Sequence, residues 1–135
     1  LYPFFDTTES MDDFIDKGMN ALGALYQDIF EKEIRRFKTI MGRCHELLND
    51  ITFINLNSKR KRVNYNLFDA FSYAIADLND SEYQNLKDKG TIFKEKYRML
   101  FKDEGFLCRT KLKQSSKKAV RYRFENMKKF FNQFI

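Results

Sequence analysis

From Met11 to Ile51 the apolar residues return at helical intervals, and this run limits the fold more than any other feature of the chain. They stand at positions 11, 15, 19, 22, 25, 26, 29, 30, 34, 37, 41, 44, 48 and 51. Steps averaging between three and four residues place them on one face of a helix. Either one helix runs to Asn49 or two are separated near Gly18–Gly23; the glycines favour a break or kink there, followed by a long helix over 24–49. One proline and five glycines in 135 residues leave too little turn chemistry for an all-β chain.

The rest of the chain reads in the same way. Residues 1–6 (LYPFFD) form an apolar, aromatic lead-in, after which Thr7 or Thr8 offers an N-cap and Glu9, Asp12 and Asp13 favour the first helical turn. The helical period lapses over 51–63 (ITFINLNSKRKRV), where a loop or short hairpin is expected. Asn64 or Asn66 can cap a helix with Leu67, Phe68, Phe71, Ala74, Ile75 and Leu78 inward, ended by Asn79 and Asp80. Ser81 is expected to cap the next, with Tyr83, Leu86, Gly90, Phe93, Tyr97 and Leu100 on one stripe and Asp103-Glu104-Gly105 as its stop. Phe106 and Leu107 pack a short turn, a basic loop runs from Arg109 to Gln114, and Ser115 or Ser116 caps a last helix. That helix turns Val120, Phe124, Met127, Phe131 and Phe134 inward. The expectation is an all-α chain: one helical domain over 1–135, a bundle of about five helices with a loop or short hairpin near 51–63. The first residue is Leu, so the chain is expected to be a C-terminal fragment of a longer protein.

Few residues offer catalysis. A single histidine and two cysteines, Cys44 and Cys108, exclude most metal sites and triads. The cysteines are expected to be reduced thiols acting as small apolar residues, with His45 at the surface. Residues 18–23 (GMNALG) imitate the start of a phosphate-binding loop, but Ala24 and Leu25 stand where Lys and Ser/Thr are required. No Asp or Glu has a lysine two positions later, the spacing of many metal-dependent nucleases. Asp12, Asp13 and Asp16 read as an acidic first helical turn. No cofactor and no metal are expected. No run reaches the ~18 apolar residues of a membrane span, so no membrane partner and a cytoplasmic location are expected.

Charge placement says more. Phe, Ile, Asn and Lys, all with AT-rich codons, make up 50 of the 135 residues, so part of the net +6 is codon bias. Residues 1–50 carry six basic and ten acidic side chains, whereas 51–135 carry nineteen and nine. The second half therefore holds +10 against −4 in the first, which points to a polyanionic partner for it. Two clusters stand out: Lys59, Arg60, Lys61 and Arg62, and the segment 109–129 with nine basic residues against Glu125 alone. On a helical wheel Lys117, Arg121 and Lys128 flank the apolar stripe of the last helix, while Lys118 and Lys129 fall on the opposite, solvated face. Arg123 falls beside Phe130, which marks it as a partly buried structural residue with an internal carboxylate or carbonyl partner. Phe68, Phe71, Phe93, Phe124, Phe131 and Phe134 are core positions; only Tyr65, Tyr73 and Tyr122 lie where a base could stack.

Three stretches in order carry a resemblance: FKTIMGRCHELLND at 37–50, RVNYNLFDAFSYAIADL at 62–78 and KKAVRYRFENMKKFF at 117–131. Together they resemble the C-terminal helical region of the domain of unknown function 262 family, the GmrSD-type proteins with a ParB/sulfiredoxin-like nuclease domain. Asn64 to Ala70, with Asn66 beside Leu67-Phe68, is similar to that family's Asn-x-x-Leu-Phe-x-Ala helix, and Val120 to Arg123 to the start of its late helix. The resemblance implies a cytoplasmic bacterial defence protein that restricts modified or foreign DNA with nucleotide assistance. The family's Asp-Gly-Gln-Gln-Arg-like catalytic motif belongs to an N-terminal domain and has no counterpart here, so no catalytic or nucleotide-binding residue is carried over.

The expected function is thus a non-catalytic helical accessory domain of a nuclease-family protein. It contacts DNA phosphates through Lys59, Arg60, Lys61, Arg62, Arg109, Lys111, Lys113, Lys117, Arg121 and Lys128. The alternative is a protein-interaction module that docks on an upstream domain of the same protein or forms an oligomer, as the LYPFFD lead-in suggests.

Overall fold

A computed structural model describes residues 10–24, 27–111 and 116–135. Among these the secondary structure is helical, with seven α-helices and one 3-10 turn rather than about five helices. The helices are α1 (Met11–Gly23), α2 (Gln27–Leu48), α3 (Tyr65–Ala76), α4 (Asp80–Asp88), α5 (Gly90–Leu100), α6 (Glu104–Thr110) and α7 (Lys117–Phe131). The chain falls into two units, Leu1–Thr39 and Ile40–Ile135.

In the first unit, α1 runs unbroken through Gly18 to Gly23, so the GMNALG segment is helix and not a loop. The interruption falls after Gly23, and α2 starts at Gln27. Thr7 and Thr8 lie outside the described residues. The cap of α1 is Ser10, whose Oγ accepts a hydrogen bond from the Asp13 amide at 3.1 Å and donates one to the Asp13 carboxylate at 2.8 Å.

The second unit holds the core. α3 packs on α7, and α7 also packs on α6. Phe71 sits at the centre, its ring 5.0 Å from that of Phe131, 5.5 Å from Tyr97, 6.1 Å from Phe93 and 6.2 Å from Phe53. These pairs meet edge to face, the geometry favoured by the charge distribution of aromatic rings. All five inward positions expected of the last helical stripe, Val120, Phe124, Met127, Phe131 and Phe134, are buried. Fully burying one such ring contributes about 1.5–3 kcal/mol.

Local signals explain where the helices start. Asn64 caps α3 by accepting from the amides of Asn66 and Leu67, and Ser116 caps α7 by accepting from the Ala119 amide. Ser81 is not a cap: Asn79 and Glu82 form a reciprocal capping box that starts α4 two residues earlier. The helix expected beyond Ser81 is divided at Lys89, giving α4 and α5. Asp103 is not a stop but a start, since its carboxylate accepts from the Phe106 amide at 2.9 Å and opens α6. The basic segment after it is therefore helical as far as Thr110, and Lys111 stands just beyond the helix.

Residues 51–63 form a loop closed by a single antiparallel bridge between Ile54 and Val63. Phe53, at the root of this loop, adopts φ 59°, a left-handed conformation that costs a bulky residue about 1–3 kcal/mol. Its ring is buried at 5.0 Å from Phe68, and its carbonyl accepts from the Asn64 amide at 2.8 Å. Packing and hydrogen bonding hold the strained turn in place.

Candidate nucleic-acid interface

Two asparagines at the start of α3 fix the geometry of the basic surface. While the Asn64 carbonyl oxygen caps the helix, its Nδ2 donates to the Thr110 carbonyl at 2.9 Å. Nδ2 of Asn66 donates to the Lys111 carbonyl at 2.7 Å and to that of Thr110 at 3.3 Å. The end of α6 leaves its last carbonyls without helical partners, and the amides of α3 satisfy them. Lys111 is thereby held beside the first turn of α3, its side chain exposed.

The tetrad Lys59, Arg60, Lys61 and Arg62 reaches the same place along the chain, because Arg62 precedes Asn64 by two residues. All four side chains are exposed. The loop that carries them is tied down at both ends: Asn57 Nδ2 donates to the Phe101 carbonyl at 2.8 Å, and the Ile54–Val63 bridge closes it. Within it the Arg62 amide donates to the Arg60 carbonyl at 2.9 Å. Tyr65 stands next to the tetrad, 71% exposed.

A second group lies on α7. Lys117, Lys118, Arg121, Tyr122 and Glu125 line a shallow hollow of about 370 Å³. The Arg109 guanidinium lies 5.5 Å from the centroid of the Tyr122 ring, a cation–π contact that sets Arg109 beside this hollow. The Tyr122 hydroxyl comes close to Gly105, where a Cβ would stand only 3.1 Å from it. Glycine there lets α6 and α7 approach. Arg123 is buried, and one of its terminal nitrogens donates to the Arg109 carbonyl at 3.0 Å, the internal carbonyl partner expected of it. Burial pushes the Asp69 carboxyl upward and Arg123 pulls it back; burial likewise lowers Arg123, and Asp69 offsets that.

The remaining sequence candidates divide. Lys113 lies outside the described residues. Lys128 is not brought to the others: it stands three turns along α7, about 16 Å from Lys117. It is taken up by Asp77 at 2.7 Å and lies over the Tyr73 ring, and its pKa is raised chiefly by the hydrogen bond to Asp77. Tyr73 itself packs against Phe124 at 5.0 Å. Lys118, assigned to the far face by its wheel angle, joins Lys117 and Arg121 in the hollow. Its i, i+3 spacing to Arg121 was the available signal.

Several acids of the second unit are engaged elsewhere. Asp80 pairs with Arg43, Glu46 with Lys87 at 2.5 Å and Asp50 with Lys94 at 3.6 Å. Among the described residues no ion pair involves the tetrad 59–62, Lys111, Lys117, Lys118 or Arg121. Of the acids, Glu125 shares the α7 hollow with Lys117, Lys118 and Arg121.

Elsewhere, Cys44 is buried and Cys108 exposed, both free. Burial pushes the Cys44 thiol up to about 12. His45 is exposed. Among the described residues no three His, Cys, Asp or Glu side chains gather as a metal set, and no helix is long and apolar enough to cross a membrane. The chain matches no protein-family model, no curated protein and no solved structure.

Proposed function

We propose that residues 40–135 are a nucleic-acid-binding accessory module that grips phosphates without itself catalysing a reaction. The observation that carries this reading is the asparagine clamp. Asn64 and Asn66 bind the carbonyls of Thr110 and Lys111 and so tie the backbone just after one basic run to the backbone within another, far apart in sequence. Exposed lysines and arginines that lack acidic partners displace counterions from a phosphate backbone, which gives affinity with strong salt dependence and no sequence preference. The resemblance of residues 37–131 to the helical region of the domain of unknown function 262 family supports a nuclease-family parent of the bacterial defence type. In that setting the module holds DNA for a catalytic domain carried elsewhere in the parent protein.

Titration of a fluorescent duplex by anisotropy tests the reading. Binding is expected at ~50 mM salt and should weaken by two or more orders of magnitude by ~200 mM if about six phosphates are contacted. Reversing Lys111, Lys117 and Arg121 to Glu should abolish it, whereas Lys128→Glu should change it little because Asp77 already engages that lysine. Absence of binding at the lower salt, or equal losses from both sets of changes, overturns the proposal.

A further inference from the structure

The hollow on α7 is ordered along the helix. Lys117, Lys118, Arg121, Tyr122 and Glu125 line it and follow one another at steps that keep them on one face. The three cations stand toward the N-terminal end and the carboxylate at the other, with Lys117 and Glu125 about 12 Å apart along the axis. Tyr122 comes between them, with the Arg109 guanidinium over its ring. At the cationic end Ser116 caps the helix, and the first turn leaves amides without helical partners at the positive end of the helix dipole. A phosphate is therefore favoured at that end.

Glu125 does not suit a site for phosphate alone. It is the one acid of the basic segment 109–129, it lines the hollow, and among the described residues it makes no ion pair. A carboxylate only accepts hydrogen bonds, so it repels a phosphate and attracts a group that offers N–H donors. A duplex presents base amino groups in its major groove but no base face, which leaves the Tyr122 ring unused. An unpaired nucleotide uses all three parts of the hollow. Its phosphate meets the lysines and Arg121, its base stacks on the Tyr122 ring or the Arg109 guanidinium, and its amino group reaches Glu125. The volume of about 370 Å³ falls within the range of small-ligand sites, about 300–1,000 Å³.

We propose that the α7 hollow is a subsite for an unpaired nucleotide of single-stranded DNA, with the phosphate toward Lys117 and an amino-bearing base between Tyr122 and Glu125. The proposal rests on the nucleic-acid reading above and adds what phosphate contacts do not supply, a preference for strand state and for base. Anisotropy at ~50 mM salt with oligo-dC, oligo-dT and a duplex, each about twelve residues long, tests it. Phosphate contacts alone favour the duplex, whose charge density is higher. Oligo-dC should instead bind at least about fivefold more tightly than the duplex, and more tightly than oligo-dT, whose base has a carbonyl where cytosine has its amino group. Glu125→Gln should erase the difference between oligo-dC and oligo-dT, since an amide serves either base; Glu125 is exposed, so this change leaves the core intact. Tyr122→Ala should weaken oligo-dC binding at least about fivefold, and Tyr122→Phe, which keeps the ring, should recover most of that loss. Duplex binding as tight as that of oligo-dC overturns the proposal and leaves the phosphate reading standing. A cytosine preference that survives Glu125→Gln, or oligo-dC binding indifferent to Tyr122→Ala, does the same. No binding to any of the three probes overturns both.

Discussion

The chain up to Thr39 and the chain from Ile40 onward share helix α2 and its apolar period, yet they use apolar residues in opposite ways. Beyond Ile40 the large side chains meet one another: Phe71, Phe93, Tyr97, Phe130 and Phe131 are buried in a network of edge-on and tilted rings. Before Thr39, Ile15, Met19, Phe30 and Phe37 lie at the surface. Charge divides as well, since the first fifty residues are net acidic and the rest strongly basic. Helical periodicity therefore establishes that a stripe exists. What covers the stripe is decided by the number of other elements able to reach it.

The sharpest way to break the comparison is to truncate one aromatic in each unit. Phe71→Ala removes the ring at the centre of the second unit and should cost about 3–5 kcal/mol, read by chemical denaturation. Phe37→Ala, at an exposed position, should change stability by no more than about 0.5 kcal/mol. Similar costs for the two would mean that the first unit has a core of its own.

A smaller effect is expected at the asparagine clamp. Asn64→Ala removes the α3 cap and takes from the Thr110 carbonyl the nearer of its two donors, a loss of about 2 kcal/mol. It should weaken duplex binding together with stability, because Asn66 alone, through its bonds to Thr110 and Lys111, then holds the end of α6. Unchanged binding would separate the basic surface from the clamp.

The smallest effect concerns acid. Hydrogen bonds from Lys87 and then Tyr83 hold the Glu46 carboxyl below its ordinary value. A carboxylate lowered by folding adds stability that is present above its unfolded pKa and lost as the pH falls through the folded one. Glu46→Gln should therefore flatten the acid limb of the pH–stability curve below about pH 4.5. The change should be slight, since exposed ion pairs contribute little.

How much of this could be read from residues alone depends on the range of the interaction. Asn64 and Ser116 announce their caps because the capped amides lie two or three positions away. The buried face of α7 is legible for the same reason. The break at Lys89 is not, because Tyr83, Leu86, Gly90, Phe93 and Tyr97 keep step across it. Asp103 misleads because the residue types that end one helix also cap the next. Each basic run of the candidate interface is visible as a run. The tie between the backbones beside them is not, since its bonds, Asn64 to Thr110 and Asn66 to Lys111, span 46 and 45 residues and leave no local pattern. Lys128 shows the reverse: it resembles its neighbours in sequence, and only the fold supplies Asp77 to neutralise it.

The contrast between the two cysteines gives the molecule two clocks. Only a thiolate reacts with an alkylating reagent. Cys44, buried with its thiol pushed up to about 12, must wait for the second unit to open, whereas Cys108 stands in solvent. The rate of modification at Cys44, set against that at Cys108 in the same tube, reports how often the aromatic core comes apart under native conditions, and the unaltered chain already carries both the probe and its reference.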